Sequence, residues 1–271
     1  MKKSIFLLYF FLISNLLVSQ TTENQKGIKQ ISEAIYTPKD RVKDRNIALQ
    51  NHITEVTYYD PSGEITQIHN YEFDGSLWSV VKITLNENGI PTKGTTTDAN
   101  ENILEFYENK LNEKGEIIEQ NTYDSNNQLI STQKSKFDSK GNEIEIFYEN
   151  FKYKYTNSET HQFDLDNRVI KSVFTKSKGT MIKTEIRTYQ YDDLGNCILE
   201  TYQKEDGSIL LIYTTYDQHN NWLTDKWVEN NKVTNSTKFT YVYDQNNNWI
   251  TRKRYTNGKL EMIWERNIVY Y

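Results

Sequence analysis

The side chains best suited to ligand binding are tryptophans near the C-terminal end of the chain. Four of the five tryptophans, at positions 222, 227, 249 and 264, lie in the last 50 residues. Flat aromatic faces about 10 Å apart on neighbouring hairpins can stack on successive rings of a saccharide chain. The chemistry that they offer is carbohydrate binding.

Two of these tryptophans occupy a repeat position that favours a core role. Trp222 and Trp249 are equivalent in adjacent repeats, and other repeats have aliphatic residues there: Ile65, Ile117 and Val169. Aliphatic occupancy is typical of a buried position. We therefore expect Trp222 and Trp249 to be buried. We take Trp227 and Trp264 as the candidate binding residues, with Trp227 on the opposite face from Trp222 by strand alternation.

The reactive side chains form no pattern typical of catalysis or of cofactor binding. The four histidines lack the spacing of metal ligands, and no serine lies on a strand-to-helix elbow. Cys197, the only cysteine, occupies the aliphatic repeat position, which favours a buried thiol over a nucleophile. We predict a protein that is not an enzyme, with no catalytic residues and no cofactor.

The acidic turns offer oxygen ligands for calcium, as in the segment from Asp244 to Asn248. An EF-hand loop needs glycine at its sixth position and a bidentate acid at its twelfth. Those positions hold Trp249 and Tyr255. Equivalent turns lie two strands apart, about 9–10 Å, so they are too distant to share one ion. Turn capping explains these residues better, and no metal site is predicted.

The charge balance argues against nucleic acid and anionic membranes as partners. The 271 residues include 32 basic and 37 acidic side chains, for a formal net charge of −5. Nucleic acid and anionic membranes both require a basic face. We therefore predict no nucleic-acid partner. A chain with one cysteine also has no internal disulfide, so its stability must come from packing and strand pairing.

The N-terminal residues predict export. Lys2 and Lys3 precede an apolar stretch from Ile5 to Leu17, and Ser19 and Gln20 follow it. This arrangement is typical of a secretory signal peptide, predicted as residues 1–20, and the stretch is shorter than a membrane span needs. We expect a periplasmic or extracellular protein that does not span a membrane after signal removal.

A turn motif repeats eight times along the chain. Each copy has an apolar residue, Asp or Asn, two variable residues, then Gly or Asn. The Asp or Asn positions follow each other at intervals of 25 to 28 residues: 60, 86, 112, 138, 164, 192, 217 and 244. In a three-residue hairpin, a type I turn is followed by a left-handed residue that forms a bulge, and these residue types suit that turn.

A second, looser set of turns lies midway between these motifs, and several of its members are Asp-Gly or Asn-Gly pairs, which are typical of two-residue hairpins. The pattern predicts an all-β antiparallel hairpin array of about eight units and sixteen strands over residues 53–271. Residues 21–52 lead into it, with an opening strand from Ile28 to Tyr36. Because flat sheets of this size are rare, we expect one long, coiled sheet.

The fullest unit resembles the YD repeat of bacterial Rhs proteins and teneurins. Its sequence runs from Tyr189 through Tyr191-Asp192 to Gly195-Asn196, with Asp206-Gly207 closing the hairpin and Tyr216-Asp217 opening the next. The resemblance covers most of residues 53–260 and implies a coiled β-sheet, a surface or secreted setting and carbohydrate binding. Those relatives enclose a cargo or carry large accessory domains, for which this chain has no room.

These observations predict an exported, non-catalytic β-repeat scaffold that binds an extended partner, either a carbohydrate or a protein. The alternative is a purely structural element of the cell envelope without a small ligand. An exposed aromatic patch favours binding, and buried tryptophans with uniformly polar faces favour the structural role.

Overall fold

The structure is a computed structural model that describes residues 25–40 and 42–271. The predicted signal peptide lies outside the described residues. One 3-10 turn (Pro38–Asp40) and one helix, α1 (Arg45–Asn51), accompany eighteen strands. The strands are β1 (Ile28–Tyr36), β2 (Ile53–Tyr59), β3 (Ile65–Tyr71), β4 (Leu77–Leu85), β5 (Pro91–Asp98), β6 (Ile103–Leu111), β7 (Ile117–Asp124), β8 (Leu129–Phe137), β9 (Glu143–Asn150), β10 (Tyr155–Phe163), β11 (Val169–Lys178), β12 (Met181–Tyr191), β13 (Cys197–Gln203), β14 (Ile209–Tyr216), β15 (Trp222–Glu229), β16 (Lys232–Tyr243), β17 (Trp249–Thr256) and β18 (Lys259–Tyr270).

The eight repeated motifs form the predicted bulged turns. At the first, the amide of Gly63 donates to the carbonyl of Asp60 at 3.0 Å, and the Asp60 side chain accepts from the amides of Ser62 and Glu64. The last motif position has a positive φ in every copy, and the register shifts by one residue beside each turn. The hairpin-repeat prediction is confirmed.

The second turn set is more varied than predicted. Asn230-Asn231 and Asn257-Gly258 have positive φ at both central residues, as two-residue hairpins require. Asp74-Gly75 and Asp206-Gly207 instead lie in bulged turns like those of the first set. The reason is visible at Asp74, whose carboxylate accepts a hydrogen bond from the amide two residues later at 2.9 Å, which closes the wider turn.

The sheet closes on itself, so the prediction of a long coiled sheet is wrong. Every strand pairs with the next one along the chain, and β1 also pairs with β18. The ring therefore has eighteen antiparallel strands and is a closed barrel. Strand parity explains the role of β1: in the seventeen-strand meander from β2 to β18 the two edge strands run in the same direction. One strand antiparallel to both joins them.

Most of the buried apolar residues lie at this closing seam. Of the twelve buried hydrophobic residues that the described ranges contain, eight belong to β1, β2, β18 and α1. Ala34 of β1 and Ala48 of α1 are fully buried against each other, with Ile263 beside them. Asp44 caps α1 by accepting from the amide of Ile47. The helix thus covers the joint between the first and last strands.

The two faces of the barrel differ in burial. On β16, Thr237 and Phe239 are buried while Lys238 between them is exposed. On β6, Tyr107 is half-buried while the next residue, Glu108, is exposed. Side chains converge inside a closed ring and diverge outside it, so we assign the more buried set to the interior. Residues that pair directly across neighbouring strands lie on the same face, so the inner face can be followed from strand to strand around the barrel. Helix α1 lies on the outer face.

A valine at Gly195 is expected to destabilise the protein by about 1–3 kcal/mol. Gly195 has a φ of +86° and nothing within 4 Å of an added Cβ, so the cost arises from backbone strain alone. Gly195→Asn is the matched control, because asparagine occupies the same turn position at 167, 220 and 247. Urea unfolding of both variants measures the difference, and equal losses would contradict the turn geometry.

Candidate functional site on the inner face

The inner face surrounds a space that its side chains do not fill. Eighteen strands about 4.8 Å apart form a ring roughly 27 Å across before strand tilt widens it. In the described chain, each strand makes substantial contacts only with the strands beside it in the sheet. Most large side chains of this face are half-buried, for example Tyr107, Phe174 and Ile212. Neighbouring side chains on the inner face therefore pack beside one another and leave their ends accessible.

An arginine–tryptophan cluster lies on the inner face near the seam. It consists of Arg252 and Arg254 of β17, Trp264 and Arg266 of β18, and Trp249. The Arg252 guanidinium lies 4.1 Å from the Trp264 ring centroid and 4.9 Å from that of Trp249. Arg266 stacks on Trp249 at 3.5 Å, and Arg254 lies 5.9 Å from Trp264. Cation–π contacts of this kind hold the guanidinium planes in fixed orientations.

The three arginines of the arginine–tryptophan cluster differ in their acidic partners. Arg266 forms an ion pair with Glu33 at 2.7 Å, and Arg254 approaches Glu261 at 3.7 Å. The Arg252 guanidinium makes no hydrogen bond or ion pair with any described residue, although Glu33 acts on it electrostatically, and its buried Nε has no partner. Burial lowers the pKa of Arg252, since the charged form loses solvation. Arg252 is therefore a half-buried cation without a directly bonded acid.

The four C-terminal tryptophans fall into different environments. Trp249 is 5 % exposed, as expected, but Trp222 is 52 % exposed, so its expected burial is wrong. The reason is local, because Arg252 and Arg266 cover Trp249 and no such cation lies over Trp222 in the described chain. Trp227 is 37 % exposed and pairs across strands with the inner-face residue Ile212. Trp264 is half-buried between two arginines.

A second inner-face cluster centres on Arg187 and has matched charges. Its guanidinium lies 4.2 Å from the Phe174 ring and 4.4 Å from the Tyr202 ring. It also forms ion pairs with Glu185 and Glu200. The stacking resembles that of Arg252, but the positive charge already has carboxylate partners. This cluster is therefore a natural comparison for the arginine–tryptophan cluster.

A serine, a histidine and a glutamate meet on β10 and β11. The Nδ1 atom of His161 lies 2.8 Å from the hydroxyl of Ser172, and its Nε2 atom lies 3.4 Å from Glu159. Burial lowers the pKa of His161, so the imidazole is neutral at pH 7. Ser172 is 1 % exposed, which keeps its hydroxyl from any bound molecule. The arrangement is a buried polar network rather than an accessible nucleophile.

Sequence reasoning missed this trio, although a signal for it was present. Glu159 and His161 are two residues apart, so they share a face of β10. The bulged turn that begins at Asp164 sets the register, which pairs His161 with Ser172. The arginine–tryptophan cluster lies in the single hairpin β17–β18, and only Glu33, the ion-pair partner of Arg266, comes from β1.

Glu159 gives the protein a predicted pH dependence. Burial, the largest cause, raises its pKa from 4.5 to about 7, with Glu143 adding to the rise and Arg187 opposing it. A carboxyl whose folded pKa lies above its unfolded value favours folding at low pH, and this contribution is lost as pH rises from about 4.5 through 7. Glu159→Gln is therefore expected to stabilise the protein at pH 8 by about 1–3 kcal/mol, with little effect at pH 4.

Thermal unfolding across this pH range measures the effect of Glu159→Gln. Glu145→Gln is the control, because Glu145 lies exposed on the outer face beside Lys136. The control is expected to retain the pH profile of the original chain. A Glu159→Gln variant with the same profile as the original would contradict the assignment.

The repeated tyrosine and aspartate side chains hydrogen-bond each other and stabilise the turns. Tyr243 donates to Asp217 of the preceding unit, and Tyr270 donates to Asp244 at 2.6 Å. Within residues 25–40 and 42–271, no group of three or more His, Cys, Asp or Glu side chains is placed to hold a metal ion. Burial raises the pKa of Cys197 to about 11, so its thiol is protonated at neutral pH.

Comparisons with known proteins return structural neighbours only. No protein-family model matches the sequence, and no curated protein matches it. The chain is similar to a porin-like protein from Bacteroides uniformis, with 9% identity, 90% of this chain and 98% of the other covered, and a TM-score of 0.43. It is also similar to a chain in the structure of TcdB2-TccC3-Cdc42, with 12% identity over 83% of this chain and a TM-score of 0.40.

A chain in the structure of TcdB2-TccC3-TEV is similar with 11% identity over 81% of this chain and a TM-score of 0.26. The present chain spans 15% and 17% of those two TcdB2-TccC3 chains. No helix in the described part of the chain is long and apolar enough to cross a membrane.

Proposed function

We propose that this chain is an exported, non-catalytic scaffold of YD-repeat type that binds an extended glycan or protein partner on its inner face. The observation that carries the proposal is the half-buried Arg252, which lies between two indoles without a carboxylate partner. A purely structural barrel gains nothing from an unpaired, partly desolvated charge. In a binding protein, the same guanidinium is already oriented to donate hydrogen bonds to a ligand.

The spacing of the inner-face tryptophans supports an extended ligand. Trp227 pairs with Asn235 on β16, and Arg252, beside Trp264, pairs with Tyr241 on the same strand. Six residues along a strand correspond to about 20 Å. A molecule that contacts both Trp227 and Trp264 must therefore be a chain of several units.

Tryptophan fluorescence with a panel of soluble glycans tests this function. We expect saturable emission changes with at least one glycan, and we expect Trp264→Ala to weaken binding while circular dichroism still reports β-structure. Trp222→Ala is the matched control, since Trp222 is exposed and outside the arginine–tryptophan cluster.

The alternative function is a structural element of the envelope without a small ligand. Two negative results together would favour that alternative. No glycan would change the tryptophan emission, and the immobilised chain would retain no protein from a matched extracellular fraction. Loss of binding in Trp222→Ala and not in Trp264→Ala would move the site away from the arginine–tryptophan cluster.

A further inference from the structure

We propose that the arginine–tryptophan cluster binds the carboxylates of an acidic polysaccharide, with Arg252 as the principal contact. This inference rests on the proposed binding function and names its ligand class. Glu33 and Glu261 pair directly with Arg266 and Arg254, and Glu55 and Asp225 also lie within electrostatic reach of those two arginines. The guanidinium of Arg252 has no directly bonded carboxylate, so its donors are the ones left for a ligand.

The orientation of the guanidiniums favours an oxyanion over a neutral sugar hydroxyl. Arg252 lies against the rings of Trp249 and Trp264, and Arg266 covers Trp249, which is itself buried. The indoles at the cluster thus hold guanidiniums instead of offering free faces to a sugar ring. A planar guanidinium that is fixed by stacking recognises a carboxylate through two parallel hydrogen bonds.

The rest of the inner face favours a glycan over an acidic peptide as the source of the carboxylates. Trp227 is 37 % exposed, its side chain is hydrogen-bonded to Asp225, and no arginine of the described chain stacks on it, so part of its ring face is open to a sugar ring. It lies about 20 Å along the strands from Arg252, a distance that several sugar units span. A polysaccharide of uronic acids supplies both the rings and the carboxylates.

The Arg187 cluster provides an internal control for the role of charge. Arg187 has the same inner-face location and the same aromatic stacking, but Glu185 and Glu200 already neutralise it. It has no net positive charge to offer an anion. Ligand binding is therefore expected to depend on Arg252 and not on Arg187.

Calorimetric titration of the full chain with polygalacturonate, its fully methyl-esterified neutral form and poly-L-glutamate tests the inference. We expect polygalacturonate to bind, the ester to bind at least roughly tenfold more weakly, and poly-L-glutamate to bind more weakly than polygalacturonate. High salt is expected to weaken polygalacturonate binding, since the contact is between charges. Arg252→Gln is expected to weaken it roughly tenfold or more, and Arg187→Gln to leave it unchanged.

Arg252→Lys keeps the charge and removes the paired donors of the guanidinium, so we expect a loss of affinity smaller than that of Arg252→Gln. If Arg252→Gln does not fold, Arg252→Lys is used in its place. If the neutral ester binds as tightly as polygalacturonate and Arg252→Gln does not change that binding, the inference of an acidic ligand is wrong. The proposed function would still stand. Equal binding of poly-L-glutamate would overturn the glycan assignment. Absence of binding to every glycan of the wider panel would overturn the acidic-glycan inference, and the proposed function would then require a protein partner.

Discussion

Removal of β1 is expected to abolish cooperative folding of the monomeric barrel. β1 carries four buried hydrophobic side chains: Ile28, Ile31, Ala34 and Tyr36. The three large ones contribute roughly 1.5–3 kcal/mol each. Their sum is comparable with the total stability of about 5–15 kcal/mol that a typical domain has. Without β1, strands β2 and β18 also become free edges that run in the same direction and cannot form an antiparallel pair.

Truncated chains that begin at Gln25 and at Ile53 test this expectation. The chain from Gln25 retains β1 and is expected to be monomeric with a single thermal transition. The chain from Ile53 is expected to associate through its free edges, because unpaired strands template pairing with other chains. Light scattering and circular dichroism melts distinguish the two. A monomeric chain from Ile53 with an unchanged melting temperature would show that the sheet is stable as an open ribbon.

Replacement of Trp249 by alanine is expected to cost about 3–5 kcal/mol of stability. Trp249 is 5 % exposed, and its ring contacts Arg252, Arg266 and Tyr241. Deletion of the indole creates a cavity and also removes the surface on which two guanidiniums stack. Those guanidiniums would lose their fixed orientation, so we also expect weaker binding of any anionic ligand.

Trp222→Ala is the matched control, since Trp222 is equivalent in the repeat but 52 % exposed. A loss below about 1 kcal/mol is expected there, as for other exposed positions. Guanidinium unfolding of the two variants compares the costs directly. Similar costs for both would mean that the exposed and buried environments of these tryptophans have been assigned wrongly.

Both turn types illustrate what local chemistry makes predictable. The sequence at Asp60-Pro61-Ser62-Gly63 contains the acceptor, the turn former and the left-handed residue, and the structure has that turn. The turn at Asp74-Gly75 was predicted as a two-residue hairpin and is bulged. An Asp-Gly pair is compatible with both the two-residue turn and the bulged turn. The bulged turn forms here because the Asp74 carboxylate accepts a hydrogen bond from the amide of Ser76.

The candidate site was only partly predictable. The concentration of tryptophans pointed to the last hairpins, and Trp264 does lie in the arginine–tryptophan cluster. Nothing in the sequence paired Arg266 with Glu33, because these residues are 233 positions apart and meet only when the ring closes. The different exposures of Trp222 and Trp249 also depend on which side chains the neighbouring strands bring over them.

The sequence by itself determined the hairpin period, the turn positions and the alternation of strand faces, because each depends on residues a few positions apart. Only the tertiary structure decided that the sheet closes, which residues lie inside and which arginine remains unpaired. The physical reason is strand parity. Seventeen consecutive strands end with two parallel edges, and β1, contributed from outside the repeat, pairs with both and brings Glu33 beside Arg266.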